Sequence, residues 1–114
     1  MLPAVEKAVF DREGLLERLG GDTELLIELL EIFVEESREM LVSARSAVTD
    51  GDAHRIERAA HSMKGALLNI AADAAADKAF QLEQAGRAGE LELCPSLLEE
   101  LEEELQLLRQ ELKS

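Results

Sequence analysis

The sequence predicts an all-α fold, an up-down-up-down antiparallel four-helix bundle with a short extra N-terminal helix, and three observations carry that expectation. Leu, Ala and Glu dominate a chain of 114 residues that has only 7 Gly and 2 Pro and neither Trp nor Tyr, a mixture that favours helix on intrinsic propensity. Apolar residues recur at 3.6-residue spacing through long segments. The connections between those segments are short, which makes consecutive helices antiparallel neighbours.

The elements follow in order. A short amphipathic helix is expected over about 10–19, ended by Gly20-Gly21, with Asp22 placed to accept hydrogen bonds from the next helix's free amides. The second helix, about 23–48, carries Leu26, Leu29, Leu30, Phe33, Met40, Ala44, Ala47 and Val48 on one face, which is the core face. Ile27, Val34 and Leu41 form a second line beside it that needs a cover of its own, either a docked partner or the N-terminal helix. Asp50-Gly51-Asp52 reads as a turn with Asp52 as cap, opening a third helix over about 53–71. A fourth, about 73–85, leads into the loop Gly86-Arg87-Ala88-Gly89, and Pro95 suits the first position of a fifth helix, about 95–112. There Leu97, Leu98, Leu101, Leu105, Leu108 and Leu112 form a stripe, with Glu99, Glu100, Glu102, Glu103 and Glu104 as a solvated face near the favourable N-terminal dipole end.

A chain of this length buries roughly two thirds of its unfolded surface, enough for one core, so residues 1–114 are read as a single domain. A net charge of -13 argues against nucleic acid, whose phosphates demand a concentrated Lys/Arg surface, and against anionic membrane surfaces. No apolar run reaches about 18 residues and no secretory signal is visible, so a cytoplasmic location is expected. Cys94 is the only cysteine, which excludes an internal disulfide and a cysteine-based metal set. The acidic bundle needs no second chain to cover its stripes, so a monomer is expected.

The third helix carries the chemistry. With His61 at zero on a wheel of about 100° per residue, Ile56, Ala59, Met63, Ala66 and Ile70 fall on the opposite, buried side. Around His61 lie Glu57, Arg58, Lys64, Gly65 and Leu68. Glycine inside a helix costs about 1 kcal/mol relative to alanine, and Gly65 faces outward one turn from His61, leaving room for a partner. Arg55, Arg58 and Lys64 against Glu57 give this segment two excess positive charges in an acidic chain. Near neutral pH a neutral imidazole is a competent nucleophile, and the cations would screen a phosphoryl group arriving on it. Taken alone, a His-x-x-Lys pair is better explained as ordinary surface residues. His54 and His61 are about 10.5 Å apart along a helix at about 1.5 Å per residue, too far to chelate one metal ion, and no metal or cofactor site is expected.

The segment Arg58-Ala59-Ala60-His61-Ser62-Met63-Lys64-Gly65 resembles the His-x-x-Lys-Gly signature of histidine-containing phosphotransfer domains. The likeness extends along nearly the whole chain, through FDREGLLERLGGDTELLIELLEIFVEE, GDAHRIERAAHSMKG and LEQAGRAGEL. It implies His61 as phosphoacceptor through Nε2, Lys64 as positive neighbour and Gly65 as clearance for a receiver domain; Arg58, Leu68 and Glu57, on the same face of the wheel, are expected to bind the partner. It further implies a relay between receiver domains of response regulators or hybrid histidine kinases, without kinase activity of its own; no glycine-rich nucleotide loop is present. Mg²⁺ would belong to the receiver. Members usually have leucine at Met63 and a glycine near the helix end where Ala71 stands, which puts the path from Ala71 to Ala75 in question.

Two other readings share these features. A non-phosphorylated helical adaptor would keep the bundle as a receiver-docking module, with His61 dispensable. The phosphotransfer domain of a chemotaxis-type kinase has the same bundle but is phosphorylated by its own ATP-binding domain, and Ala66-Leu67-Leu68-Asn69-Ile70 does not separate it. A histidine-kinase dimerisation hairpin fits worse, because Ser62 stands where that family has an acidic residue and no proline is near.

Overall fold

The computed structural model describes residues 8–113, and its regular structure is entirely helical, with no strand among the described residues. The elements are α1 (Arg12–Arg18), α2 (Thr23–Thr49), α3 (Ala53–Asn69), α4 (Asp73–Ala88), a 3₁₀ turn (Leu91–Leu93) and α5 (Cys94–Lys113). Aspartates start the first three: Asp11, Asp22 and Asp52 each accept from the backbone N–H three residues on, of Gly14, Leu25 and Arg55, at 3.0, 3.0 and 3.1 Å. Each thereby satisfies an amide the helix leaves unpaired.

α2 packs on α3 and α5, and α4 packs on the same two helices, so the four long helices close around one aliphatic core. α2 contributes Leu26, Leu30, Phe33, Leu41, Ala44 and Ala47, and α5 contributes Cys94, Leu98, Leu101, Leu105 and Leu108. Ser37 is buried within the α2 stripe and its hydroxyl donates to the Val34 carbonyl at 2.9 Å, so the polar atom is not orphaned. The Ile27, Val34, Leu41 line does not behave as one surface: Ile27 is exposed, Val34 half-buried and Leu41 buried. A spacing of seven residues drifts around a straight helix, so the line crosses from solvent into the core.

Several expected boundaries move, each for a physical reason. α4 does not stop at residue 85; it continues to Ala88, and Gly86 lies inside it rather than in a loop. A Cβ on Gly86 would sit 2.8 Å from the Glu57 amide nitrogen and 3.1 Å from the Ala53 carbonyl oxygen. That glycine serves the close approach of α3 and α4, and the helix ends instead at Gly89, whose φ is 71°. α5 starts one residue early, at Cys94, which makes Pro95 its second residue. α1 is shorter than 10–19, because Asp11 is its cap and the chain turns at Leu19. α2 runs to Thr49, one residue past the expected 48.

α3 ends at Asn69 instead of 71, and Ala71 takes the left-handed conformation with φ 60°. There the Ala72 N–H donates to the Leu67 carbonyl at 2.9 Å and the Ala71 N–H to the Leu68 carbonyl at 3.2 Å, the paired bonds of a Schellman stop. The junction is held from outside as well: the Asp11 N–H donates to the Ala71 carbonyl at 3.1 Å, and the Ala74 N–H to the Ala8 carbonyl at 3.0 Å. A Cβ at positive φ costs an L-residue roughly 1–2 kcal/mol. The greater freedom of glycine in the unfolded chain offsets about 0.4–1 kcal/mol of that. Ala71→Gly is therefore expected to stabilise the protein by about 0.5–1 kcal/mol, read as a higher urea midpoint at unchanged slope. A lowered midpoint would show that the methyl's burial outweighs the strain.

Candidate functional site

On α3 the buried line is Ile56, Ala60, Met63 and Leu67, continued by the capping residue Ile70. Ala59 and Ala66, expected in the core, are only half-buried, and Ala60 and Leu67 take their place. At about 100° per residue this turns the buried face by about 40° from the point diametrically opposite His61. The cause is α4, whose small residues Ala76, Ala79 and Gly86 let it press against one flank of α3. His61 remains open to solvent, with 67% of its side chain exposed, yet its ring lies at the edge of the α3–α4 seam.

Beneath the ring is a residue that the sequence reading missed. Glu83, on α4, is 3% exposed, and its Oε2 lies 2.8 Å from His61 Nδ1. Oε1 is met by Lys64 Nζ at 2.7 Å, and Arg87 brings a guanidinium nitrogen to 3.3 Å of Oε2. Burial pushes the Glu83 carboxyl upward, but hydrogen bonds from Lys64 and His61, with the attraction of their charges, more than offset it and hold the pKa below the usual glutamate value. A carboxylate acceptor at Nδ1 selects the tautomer with the proton on Nδ1 and leaves the Nε2 lone pair outward. Nε2 has no hydrogen-bond partner among the described residues.

The expected site residues divide between open and engaged positions. Lys64 is not a free cation beside His61: it is tied to Glu83, and its ammonium stands 4.9 Å from the Phe80 ring centroid. Glu57 is paired with Arg87 at 2.6 Å; Arg87, expected in a loop, lies in the last turn of α4, which carries its side chain toward α3. Arg58 is exposed and has no ion pair among the described residues, and with His61, Ser62, Glu83 and Arg87 it lines a shallow hollow. A Cβ at Gly65 would meet nothing within 4 Å. Leu68, 49% exposed, shares a groove with Lys64, Ala76 and Phe80 on the α4 side, and exposed Ile32 shares another with Gly65 and Asn69 on the α2 side. Cys94 is buried and its thiol pKa is raised by that burial and by Glu92 and Glu90, so it is no reactive thiolate. His54 is exposed, and among the described residues no group of three or more His, Cys, Asp or Glu could hold a metal ion. No described helix is long and apolar enough to cross a membrane.

Glu83's folded pKa lies below its unfolded value of about 4.5, so its contribution to stability is complete above that pH and is lost as pH falls through the lower folded value. The stability difference between the native protein and Glu83→Gln is expected to be constant from neutral pH down to about 5 and to shrink below about 4. Urea unfolding at several pH values measures it, and a difference that persists undiminished in acid would mean the carboxylate's ion pairs are not its source.

Residues 28–111 match the family described as the Hpt domain. The fold is similar to the crystal structure of histidine-containing phosphotransfer protein B (HptB) from Pseudomonas aeruginosa PAO1, with 32% sequence identity, a TM-score of 0.87 and coverage of 95% of this chain and 94% of that one. No curated protein matches the sequence. A family match over most of the chain, a shared fold at that identity and an exposed histidine on its helix agree: the chain belongs to the Hpt domain family, whose role is histidine phosphotransfer in phosphorelays.

Proposed function

We propose that His61 is the phosphoacceptor, taking a phosphoryl group on Nε2 from the aspartyl phosphate of one receiver domain and passing it to the aspartate of another. The observation that carries this reading is the ring itself, exposed at its Nε2 edge and fixed at Nδ1 by buried Glu83. Holding a nucleophile still in a near-attack orientation removes entropy from the barrier in advance. This protein supplies position and nucleophile, while the receiver supplies Mg²⁺ and the acidic pocket; the domain binds no cofactor of its own.

The same surface suits a receiver. Gly65 leaves clearance beside the ring, Leu68 offers an apolar anchor, and Arg58 and Glu57 flank the approach. Lys64 acts through Glu83 as well as through its charge. The partners are receivers of response regulators or hybrid kinases, met in the cytoplasm by a monomer that binds neither nucleic acid nor membrane. Residues 1–114 form one domain in this reading. Its long helices run up-down-up-down, an arrangement favoured by connections of only a few residues between α2 and α3 and between α3 and α4.

Radiolabelled phospho-receivers are expected to label the native protein and not His61→Gln, with a label lost in acid and retained in alkali. A folded native protein that takes no label from a broad receiver panel, while still binding receivers, would favour the adaptor reading.

A further inference from the structure

The position of Glu83 bears on what happens to the ring after it has accepted the group. When Nε2 attacks phosphorus, its lone pair forms the N–P bond, and the pair of the breaking P–O bond returns to the donor carboxylate. If Nδ1 keeps its proton, the ring becomes a phosphoimidazolium cation. In the onward step the N–P electrons return to Nε2 and the leaving group is neutral imidazole with its proton still on Nδ1. If that proton is lost between the two steps, the leaving group is an imidazolate anion, and transfer onward is slow.

The groups around the ring decide which case holds. From α3 these are Glu57, Arg58 and Lys64; from α4, Glu83 and Arg87; on the α2 side, Glu36 and Glu39 line the neighbouring grooves. Arginine and lysine have no acceptor. Glu57 is taken by Arg87 at 2.6 Å. Glu83 alone of these carboxylates has an oxygen within hydrogen-bond distance of Nδ1, at 2.8 Å, and it is buried, so water competes poorly for the bond. Lys64, on the other oxygen at 2.7 Å, keeps that carboxylate ionised and aimed.

Resting on the reading of His61 as phosphoacceptor, we infer that Glu83 retains the ring proton on Nδ1 through both halves of the relay step, so that the phosphoryl group moves on and off Nε2 with no proton transfer on this chain. Glu83 is a positioning residue: it touches the reacting group only through the imidazole. A hydrogen bond between a charged ring and a carboxylate is about twice as strong as one to a neutral amide. Loss of the charge therefore releases the proton at lower pH and weakens the leaving group above it.

Phosphoramidate, a small phosphoryl donor, provides the test on the full chain and on Glu83→Gln, with folding of both checked by circular dichroism. In the native protein, ¹H–¹⁵N spectra of the phosphorylated ring are expected to show Nδ1 protonated from about pH 6.5 to 8.5, and loss of the group to water should be nearly flat over that range. The Gln variant should lose it about tenfold more slowly at the upper pH than at the lower. A native ring that sheds its Nδ1 proton in this range overturns the inference without any variant, as does a pH profile shared by the native protein and folded Glu83→Gln. Label found on a residue other than His61 would overturn the acceptor assignment together with it.

Discussion

The buried carboxylate of Glu83 is the constraint around which the rest of this structure is arranged. A lone carboxylate at 3% exposure would be costly to bury. It is tolerated because α3 delivers Lys64 and His61 to it and α4 delivers Arg87 one turn on. Those contacts exist only while the two helices run close, and Gly86 allows that spacing at a point where any larger residue would strike the α3 backbone. The small residues of α4 thus work at a distance from the chemistry. They set the height of the carboxylate beneath the ring, and through it the ring's tautomer and orientation.

Much of the fold was legible in the sequence because it depends on patterns one helix long. The caps Asp22 and Asp52, the stop at Gly20-Gly21 and the leucine stripe of α5 are local signals, and each falls within a residue or two of its expected place. The departures occur where a residue answers to a neighbour instead of to its own helix. Gly86 looks like a turn because glycine usually punctuates, yet it is a packing residue. Ala71 looks like helix because alanine favours it, yet it occupies a left-handed stop held by backbone bonds to the N-terminal segment.

The site was legible in the same partial way. His61, Gly65 and Leu68 are exposed on one face as the wheel placed them. Glu83 was invisible to it because a helical wheel knows nothing of the adjacent helix, and a turn of about 40° in the buried face brought that helix within reach of the ring. One signal was available: Glu83 stands among Ala79, Leu82, Ala85 and Gly86 on the inward side of α4, and a carboxylate on an apolar face calls for a cationic or donor partner on the helix opposite.

The arrangement of cations also shapes how another molecule would approach. Arg58, Lys64 and Arg87 against Glu57 and Glu83 leave the rim of His61 with a slight positive balance on a body of net charge -13. Within a Debye length, about 8 Å at physiological salt, that net charge repels anionic macromolecules and other copies of the protein. Over the His61 face the local balance has the opposite sign. The charge pattern therefore acts as an orientational filter, turning an acidic-mouthed visitor toward one window before any contact forms, with an encounter rate that depends on ionic strength.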